Sequence, residues 1–321
     1  MTVRVMLLAI LTLLALGAAG CAGAGGGDRD PLRGRTIVVD PGHGGTAATD
    51  SYRVGPGGER EEWIDLRVAL ILRDLLEARG ARVILTRDAD TDVPLRARAD
   101  LARDSSADAF VSIHHNATAD PAVNFPIIYY HGYASANAAG VTLARHLARR
   151  LTDALFEGRA EASVVSDHVI FAGSGTAVLR HSYGIPGVIG EASFFTNPEE
   201  ERRLRDPAWN RREAEAYVRA LADFFAAQVP PIRPKESVPP LEPFRTAQEA
   251  ERMSDEARRW RADFEEGRRL LEGPARDLDR AYELLTRSAR NFPDSPVAGE
   301  AHLLRARILE EQGRVREAEE V

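Results

Sequence analysis

The chain predicts an α/β fold, a three-layer αβα sandwich around a mostly parallel or mixed sheet, followed by a small all-α module. Three observations predict it. From about Gly34 to Ala227 strand-like and helix-like periodicities alternate, and such alternation calls for a sheet covered by helices on both faces. The stretch "VPPIRPKESVPPLEP" then carries six prolines in fifteen residues and reads as a semi-rigid spacer. Beyond the spacer the pattern is helical.

The elements follow in order. "TIVVD" is an apolar strand, and Pro41-Gly42 forces a sharp exit from it. "EEWIDLRVALILRDLLEARG" places Ile64, Val68, Ile71, Leu72 and Leu75 on one helical face, with Gly80 as the stop. "ARVILTR" is a second strand, "PLRARADLARD" a short helix and "ADAFVSI" a third strand. "ASANAAGVTLARHLARRLTDALF" is a helix and "GVIGE" a buried strand. Ala214, Tyr217, Val218, Leu221 and Phe225 form the apolar face of a helix that closes the domain. Between Ala117 and Gly190 the pattern offers one strand-like piece, one helix and a Gly-rich hairpin-like stretch. No spare helix is legible there to cover a site.

Composition sets the bounds. The 321 residues suffice for two domains, and 44% hydrophobic with 28% charged residues describes an ordinary globular chain. The formal net charge of −7 excludes a sequence-independent grip on nucleic acid. Lys235 is the only lysine, so the basic character is almost wholly arginine.

The first twenty residues stand apart. Arg4 is followed by "VMLLAILTLLALGAAG", which is short for a membrane span and fits the apolar region of an export signal. Cys21, the single cysteine, comes next in "ALGAAGCAG". This resembles a bacterial lipobox, with Ala18 where leucine is usual and Cys21 as the lipidated first residue of the mature chain. The other reading is a small residue near an ordinary cleavage site. One cysteine allows no internal disulfide. "AGAGGGDRD" is a flexible tether. Ala22 is not the aspartate that retains some lipoproteins at an inner membrane, which favours an outer membrane.

Chemistry collects at the ends of apolar segments. His43 follows the first strand, Glu61 opens the first long helix, His114 follows "FVSI" and Glu191 ends "GVIG". A loop at a strand's carboxyl end is where α/β sheets place ligands. Two imidazoles and a carboxylate with one position left to water make a catalytic zinc arrangement, and a fourth carboxylate beside that water can act as general base. The four residues are 18, 53 and 77 positions apart, and no compact motif joins them.

The blocks "VVDPGHGG", "GEREEWIDLRVALILRDLLEARG", "VILTRDAD", "SIHHNA" and "VLRHSYGIPGVIGEASFFTNPEEERRL" occur in the order found in zinc-dependent N-acetylmuramoyl-L-alanine amidases. The resemblance covers roughly residues 35 to 227. It implies one Zn2+ per chain on His43, Glu61 and His114, with Glu191 as the catalytic glutamate. It also implies a three-layer αβα fold. "EREEW" offers Glu59, Glu61 and Glu62; alignment of the helical stripe selects Glu61, where the family continues Lys-Asp and this chain has Glu62-Trp63. The family usually has alanine at His115, which is therefore expected to pack or face solvent, with a place in the pocket lining as the other reading. Asp40 is expected to form a turn, with a bond to a ligand as the other reading. Arg180 matches a family position near the active site and is a candidate for holding a peptide carboxylate, or equally a structural ion pair; Asn116 is a second substrate-binding candidate. His131, His146, His168 and His181 match no block and are expected to be surface or loop residues. The implied reaction cleaves the amide between N-acetylmuramic acid and the L-alanine of the peptidoglycan stem peptide.

"AYELLTRSARNFPDSPVAGEAHLLRARILEEQGRVREAEE" resembles tetratricopeptide-type repeats over one to two units, fewer than the three such arrays usually need. A partner- or self-docking module and a capping helical bundle are both open. The organisation expected is a lipoprotein signal peptide (1–20), tether (21–33), zinc amidase domain (34–228), Pro-rich linker (229–245) and helical region (246–321), the last a candidate protein-partner surface. Against the enzyme stand two other classes, a catalytically weak peptidoglycan-binding protein and a scaffold acting through its helical tail. The expected place is the cell envelope, anchored to a membrane through Cys21.

Overall fold

The computed structural model describes residues 30–45, 53–171, 173–235, 258–319 and 321. The apolar leader, Cys21, most of the tether and of the Pro-rich linker, and the start of the helical region lie outside the described residues. In chain order the elements are β1 (Thr36–Pro41), α1 (Glu61–Ala78), β2 (Arg82–Leu85), α2 (Leu95–Asp104), β3 (Ala109–Asn116), β4 (Ile127–Tyr130), α3 (Ala138–Phe156) and β5 (Ser163–Ser166). There follow α4 (Ala177–His181), β6 (Gly187–Phe194), α5 (Pro198–Leu204), α6 (Pro207–Ala226), α7 (Trp260–Glu272), α8 (Leu278–Asn291), α9 (Ala298–Glu311) and α10 (Val315–Ala318).

The six strands form one sheet in the order β2-β1-β3-β6-β4-β5. β2, β1, β3 and β6 run parallel, β4 lies antiparallel to β6, and β5 is parallel to β4. Side chains alternate between the two faces as the pleat requires. Ile37, Val39, Val111, Ile113, Ile128 and Val188 face α1, α3 and α6. Val38, Phe110, Ile127, Tyr129, Ile189 and Phe194 face the other way, where Ala102 of α2 and Val178 and Leu179 of α4 pack. Burial on both faces explains why β1 reads as an unbroken apolar run rather than an alternating one.

Local chemistry fixes the helix ends. Ile64, Val68, Leu72 and Leu76 bury one stripe of α1, and the chain turns away at Gly80, whose φ of 82° favours glycine. Asn137, Asn197 and Asp206 accept from the first free amides of α3, α5 and α6, with Pro198 and Pro207 in the first turns of the last two.

The stretch from Ala117 to Gly190 differs from its reading. Ahead of β6 it holds two strands, and α3 crosses between them, because parallel β4 and β5 cannot be joined by a tight turn. β5 has only four residues, "SVVS", too few to show a period. The Gly-rich piece is a loop leading to α4.

The helical region has its own core of Phe264, Leu271, Ala281, Leu285, Ala289, Ala301, Leu304 and Ile308. It also touches the sheet. Trp260 and Phe292, 1% and 2% exposed, join Phe125, Tyr129 and Phe194 in one cluster. The Phe292 ring lies 5.9 Å from Phe125, 6.0 Å from Phe194 and 5.0 Å from Trp260. The Tyr129 hydroxyl donates to the Asp294 carboxylate.

Candidate active site

β1 and β3 are neighbours, so His43, just past the end of β1, and His114, near the end of β3, arrive side by side. Glu61 comes in as the first residue of α1. The result is a triangle of donor atoms. His43 Nε2 is 2.9 Å from Glu61 Oε1, His114 Nδ1 is 3.0 Å from the same oxygen, and the two imidazole nitrogens are 3.1 Å apart. Glu191 stands on β6 directly across the parallel ladder from His114. The structure thus brings together the four residues picked out at the ends of apolar segments.

The loop that delivers His43 is held in a demanding conformation. His43 has φ 55°, a left-handed backbone that costs a non-glycine residue roughly 1–2 kcal/mol. Two buried arginines hold it. Arg87 donates to the carbonyls of Pro41 (3.0 Å) and Gly42 (2.6 Å). Arg98 donates to the carbonyls of Pro41 (2.8 Å) and His43. Asp40 anchors Arg98 at 2.9 Å and also accepts from Thr86 (2.5 Å) and Ser112 (2.7 Å). Asp40 is therefore no turn former: it is buried inside β1 and reaches the loop through Arg98. Gly42 is required by close approach, since a Cβ there would lie 2.4 Å from His114 Cε1.

Electrostatics follow from this packing. Burial pushes the His43 imidazole down, against the attraction of Glu61. Burial would raise Glu61, but His43 and His114 outweigh it and hold the carboxylate well below its usual range. For His114 burial again lowers, while Glu61 and Glu191 more than compensate, leaving it at about 9. The Arg53 guanidinium packs against His43 Nδ1. An open cleft of about 690 Å3 lies beside the cluster, lined by His43, Arg53, His114 and Thr176 among others, with Leu95 (56% exposed) and Phe171 (52% exposed) also on its wall.

The donor set fits a small divalent cation. Two imidazole nitrogens and a carboxylate oxygen converge, and all three are separated by about 3 Å. A tetrahedral ion with bonds of about 2.0–2.1 Å spaces its donors by about 3.4 Å. Two histidines and one glutamate are also a catalytic zinc donor set. Asp65, one turn beyond Glu61 on α1, lies in the same group of potential ligand atoms, all within 4.8 Å of one another.

Other residues fall elsewhere. His115 is buried rather than solvent-facing: its Nδ1 meets Asp65 Oδ1 at 2.9 Å and its Nε2 meets Glu213 Oε2 at 3.0 Å. Burial alone would lower His115, but Glu213 and Asp65 hold it well above the ordinary value. Burial lifts Asp65 to about 8. Asn116 is buried at the end of β3, where its carbonyl accepts from Phe195 and its side-chain oxygen from Ala117. Arg180 donates to the carbonyls of Ser174 and Gly175 and lines a small second pocket with His131, His168 and Lys235, apart from the triangle. His131 and His168 are not surface residues. Both are buried beside Asp167, which takes His131 Nδ1 at 2.8 Å and the Thr176 amide at 2.7 Å. That network fixes the loop forming one wall of the cleft. His146 and His181 are partly exposed, beside Asp223 and Arg96.

Sequence reading missed Arg87, Arg98, Asp65 and Glu213. Arg87 was visible inside "VILTRDAD". The other three sit on helices, where a charged residue looks like solvent-facing surface until the fold shows what it packs against.

Comparison with known proteins agrees with the geometry. Residues 37–223 match the sequence family described as Amidase_3, N-acetylmuramoyl-L-alanine amidase. The chain is 28% identical over 227 residues to the N-acetylmuramoyl-L-alanine amidase AmiA of Escherichia coli (strain K12), covering 60% of this chain and 76% of that one. It is 29% identical over 216 residues to the germination-specific N-acetylmuramoyl-L-alanine amidase of Bacillus subtilis, covering 63% and 84%. Among solved structures it is similar to the amidase AmiC2 of Nostoc punctiforme, with TM-score 0.52 and 29% identity over 60% of this chain and 98% of that one. An N-acetylmuramoyl-L-alanine amidase from Clostridium difficile 630 gives TM-score 0.51 and 26% identity over 61% and 99%.

Proposed function

The chain belongs to the N-acetylmuramoyl-L-alanine amidase family, and from that membership we propose that it cuts peptidoglycan with His43, Glu61 and His114 holding one zinc ion and Glu191 as general base. The bond cleaved is the amide between the lactyl group of N-acetylmuramic acid and the L-alanine of the stem peptide. The observation that carries the assignment of roles is the 3 Å triangle of His43, Glu61 and His114 with Glu191 on the adjoining rung.

Held by His43, Glu61 and His114, a zinc ion would supply a Lewis acid for the scissile carbonyl and would lower the pKa of water to about 7. Glu191 takes the proton of the attacking water and returns it to the departing amine nitrogen of L-alanine. Arg87, Arg98 and Asp40 keep His43 in place so that the donors do not spread. The open cleft admits a polymeric substrate, and Leu95 and Phe171 give it an apolar wall. Arg180 and Asn116 enter this reading as substrate-binding candidates only through sequence resemblance.

The finer parts of the reading concern location and assembly. The apolar run ending at Cys21 supports export and acylation of Cys21, and Ala22 supports an outer membrane. The tetratricopeptide-like pattern supports a protein partner for residues 246–321. Fatty-acid labelling of the native protein and of Cys21→Ser tests the anchor, and equal labelling removes it. The mass of the material released from purified cell wall tests the reaction. Free stem peptides with intact N-acetylmuramic acid in the glycan are expected. A wall that is bound but not cut would favour a binding protein instead.

A further inference from the structure

Asp65 is out of place in a catalytic metal site. It lies one helical turn after Glu61 on α1, and its carboxylate is close enough to the His43, Glu61 and His114 donor atoms to be a fourth ligand. One oxygen, Oδ1, is taken by His115 Nδ1 at 2.9 Å. The other, Oδ2, is buried with no hydrogen-bond partner among the described residues. A metal held by four protein ligands is a closed, structural site, whereas a catalytic one leaves a position open to water and substrate. Something must therefore keep Asp65 off.

Resting on the zinc-site reading above, we propose that His115 is a positioning residue that holds Asp65 away from the metal and so keeps the fourth coordination position open. The geometry suits the task. His115 is the next residue after the ligand His114, and β-strand alternation turns its side chain to the opposite face of the sheet, toward α1 and α6. There it bridges Asp65 on α1 and Glu213 on α6, and all three side chains are fully excluded from solvent. Glu213 Oε2, at 3.0 Å from Nε2, anchors the ring from behind. The His115 amide also points at Glu61 Oε1, at 3.3 Å, so one residue steadies the acid that serves as a ligand and withholds the acid that does not.

Three variants of the full chain test this: His115→Ala, Asp65→Asn and the double variant. Zinc affinity is read by competition with a chromophoric chelator, and turnover on a defined muropeptide. In His115→Ala the released carboxylate is expected to join the metal, so zinc binds at least about tenfold tighter while turnover falls at least about tenfold. Adding Asp65→Asn removes the intruding ligand and is expected to return affinity to near the native value and recover most of the turnover. If His115 only supports the fold, His115→Ala loses zinc and Asp65→Asn restores nothing, which overturns the proposal. Unchanged affinity in His115→Ala overturns it equally. Asp65→Asn alone keeps its bond to His115 and serves even if His115→Ala does not fold. Its zinc affinity is expected within about threefold of native, and a loss of tenfold or more would make Asp65 a ligand already and sink the idea. A wild type that binds no zinc at all fails the underlying reading rather than this one.

Discussion

His114 and Glu191 stand on the same rung of the β3–β6 ladder. Neighbouring strands lie about 4.8 Å apart, so the last donor of the triangle and the proposed base are adjacent by sheet pairing rather than by loop placement. Gly190, just before Glu191, is needed for this rung to pack, since a Cβ there would lie 2.3 Å from the Tyr217 hydroxyl. That hydroxyl donates to the Gly190 carbonyl at 3.1 Å. A base mounted on a central strand keeps its position while the loop bearing His43 carries the strain.

Separating the base from the ligands is the first prediction. Glu191→Gln keeps the size and the strand but cannot take a proton at neutral pH. Its zinc content by elemental analysis is expected to stay near one per chain while turnover falls by roughly 10² or more, the scale of a lost general base. His43→Ala and His114→Ala are expected to lose zinc as well as activity. Native turnover in Glu191→Gln would rule out its role as base.

Gly42→Ala tests the close approach behind His114. The added methyl would sit 2.4 to 2.6 Å from three atoms of that ring, a distance no side-chain contact tolerates, so the ring must move off the triangle. The expected result is a folded protein with zinc affinity reduced by at least about tenfold, read by chelator competition. Undiminished affinity would mean that His114 is not held where the structure places it.

Much of this site was legible because it depends on strands. His43, Glu61, His114 and Glu191 each end or begin an apolar segment, and parallel pairing brings such ends to one edge of a sheet. What escaped was the polar chemistry behind them. Asp40, His131 and His168 read as turn, surface or loop residues, and His115 as either packed or solvent-facing, because single polar letters carry no period, and only tertiary contacts decide whether they are buried and paired. The helices of the C-terminal region were legible from their apolar spacing. Their contact with the sheet through Trp260 and Phe292 was not, because a lone aromatic on a helix looks the same whether it meets its own module or another.

A pH prediction follows from Asp223 on α6, which clamps α3 by accepting from Arg150 (2.7 and 3.0 Å) and Arg149 (3.1 Å). The bond from Arg150 holds its carboxyl below the ordinary 3.8. A depressed carboxylate stabilises the fold at pH values above its unfolded pKa, and the contribution is lost as pH falls through the folded value. Asp223 is partly exposed, so solvent screening limits the effect to about 0.5–1 kcal/mol. Urea unfolding of metal-free protein is expected to show Asp223→Asn weaker by that amount at pH 7, with the gap closing below pH 4. A gap that is constant with pH would assign the loss to packing instead.

The last prediction concerns the helical region, whose proline-rich approach suggests a separable module. Trp260 and Phe292 are nearly fully buried among Phe125, Tyr129 and Phe194, and Phe194 lies three residues beyond Glu191 on the same strand. A chain ending at Gln228 uncovers that aromatic face and removes the Asp294 acceptor from the Tyr129 hydroxyl. Burying one such ring is worth about 1.5–3 kcal/mol, so the shortened chain is expected to lose at least about 2 kcal/mol, or at least about 4 °C in Tm for a domain of this size. The hydrogen bonds that join His43, Glu61 and His114 to one another involve no residue of the helical region, so zinc content should be unchanged. Trp260→Ala in the full chain is expected to reproduce most of the loss, because it empties the centre of the contact while leaving the helices attached. Calorimetry on the three proteins decides the matter. Equal melting temperatures would show that the helices rest on the catalytic body without supporting it, and loss of zinc in the shortened chain would show that they complete it.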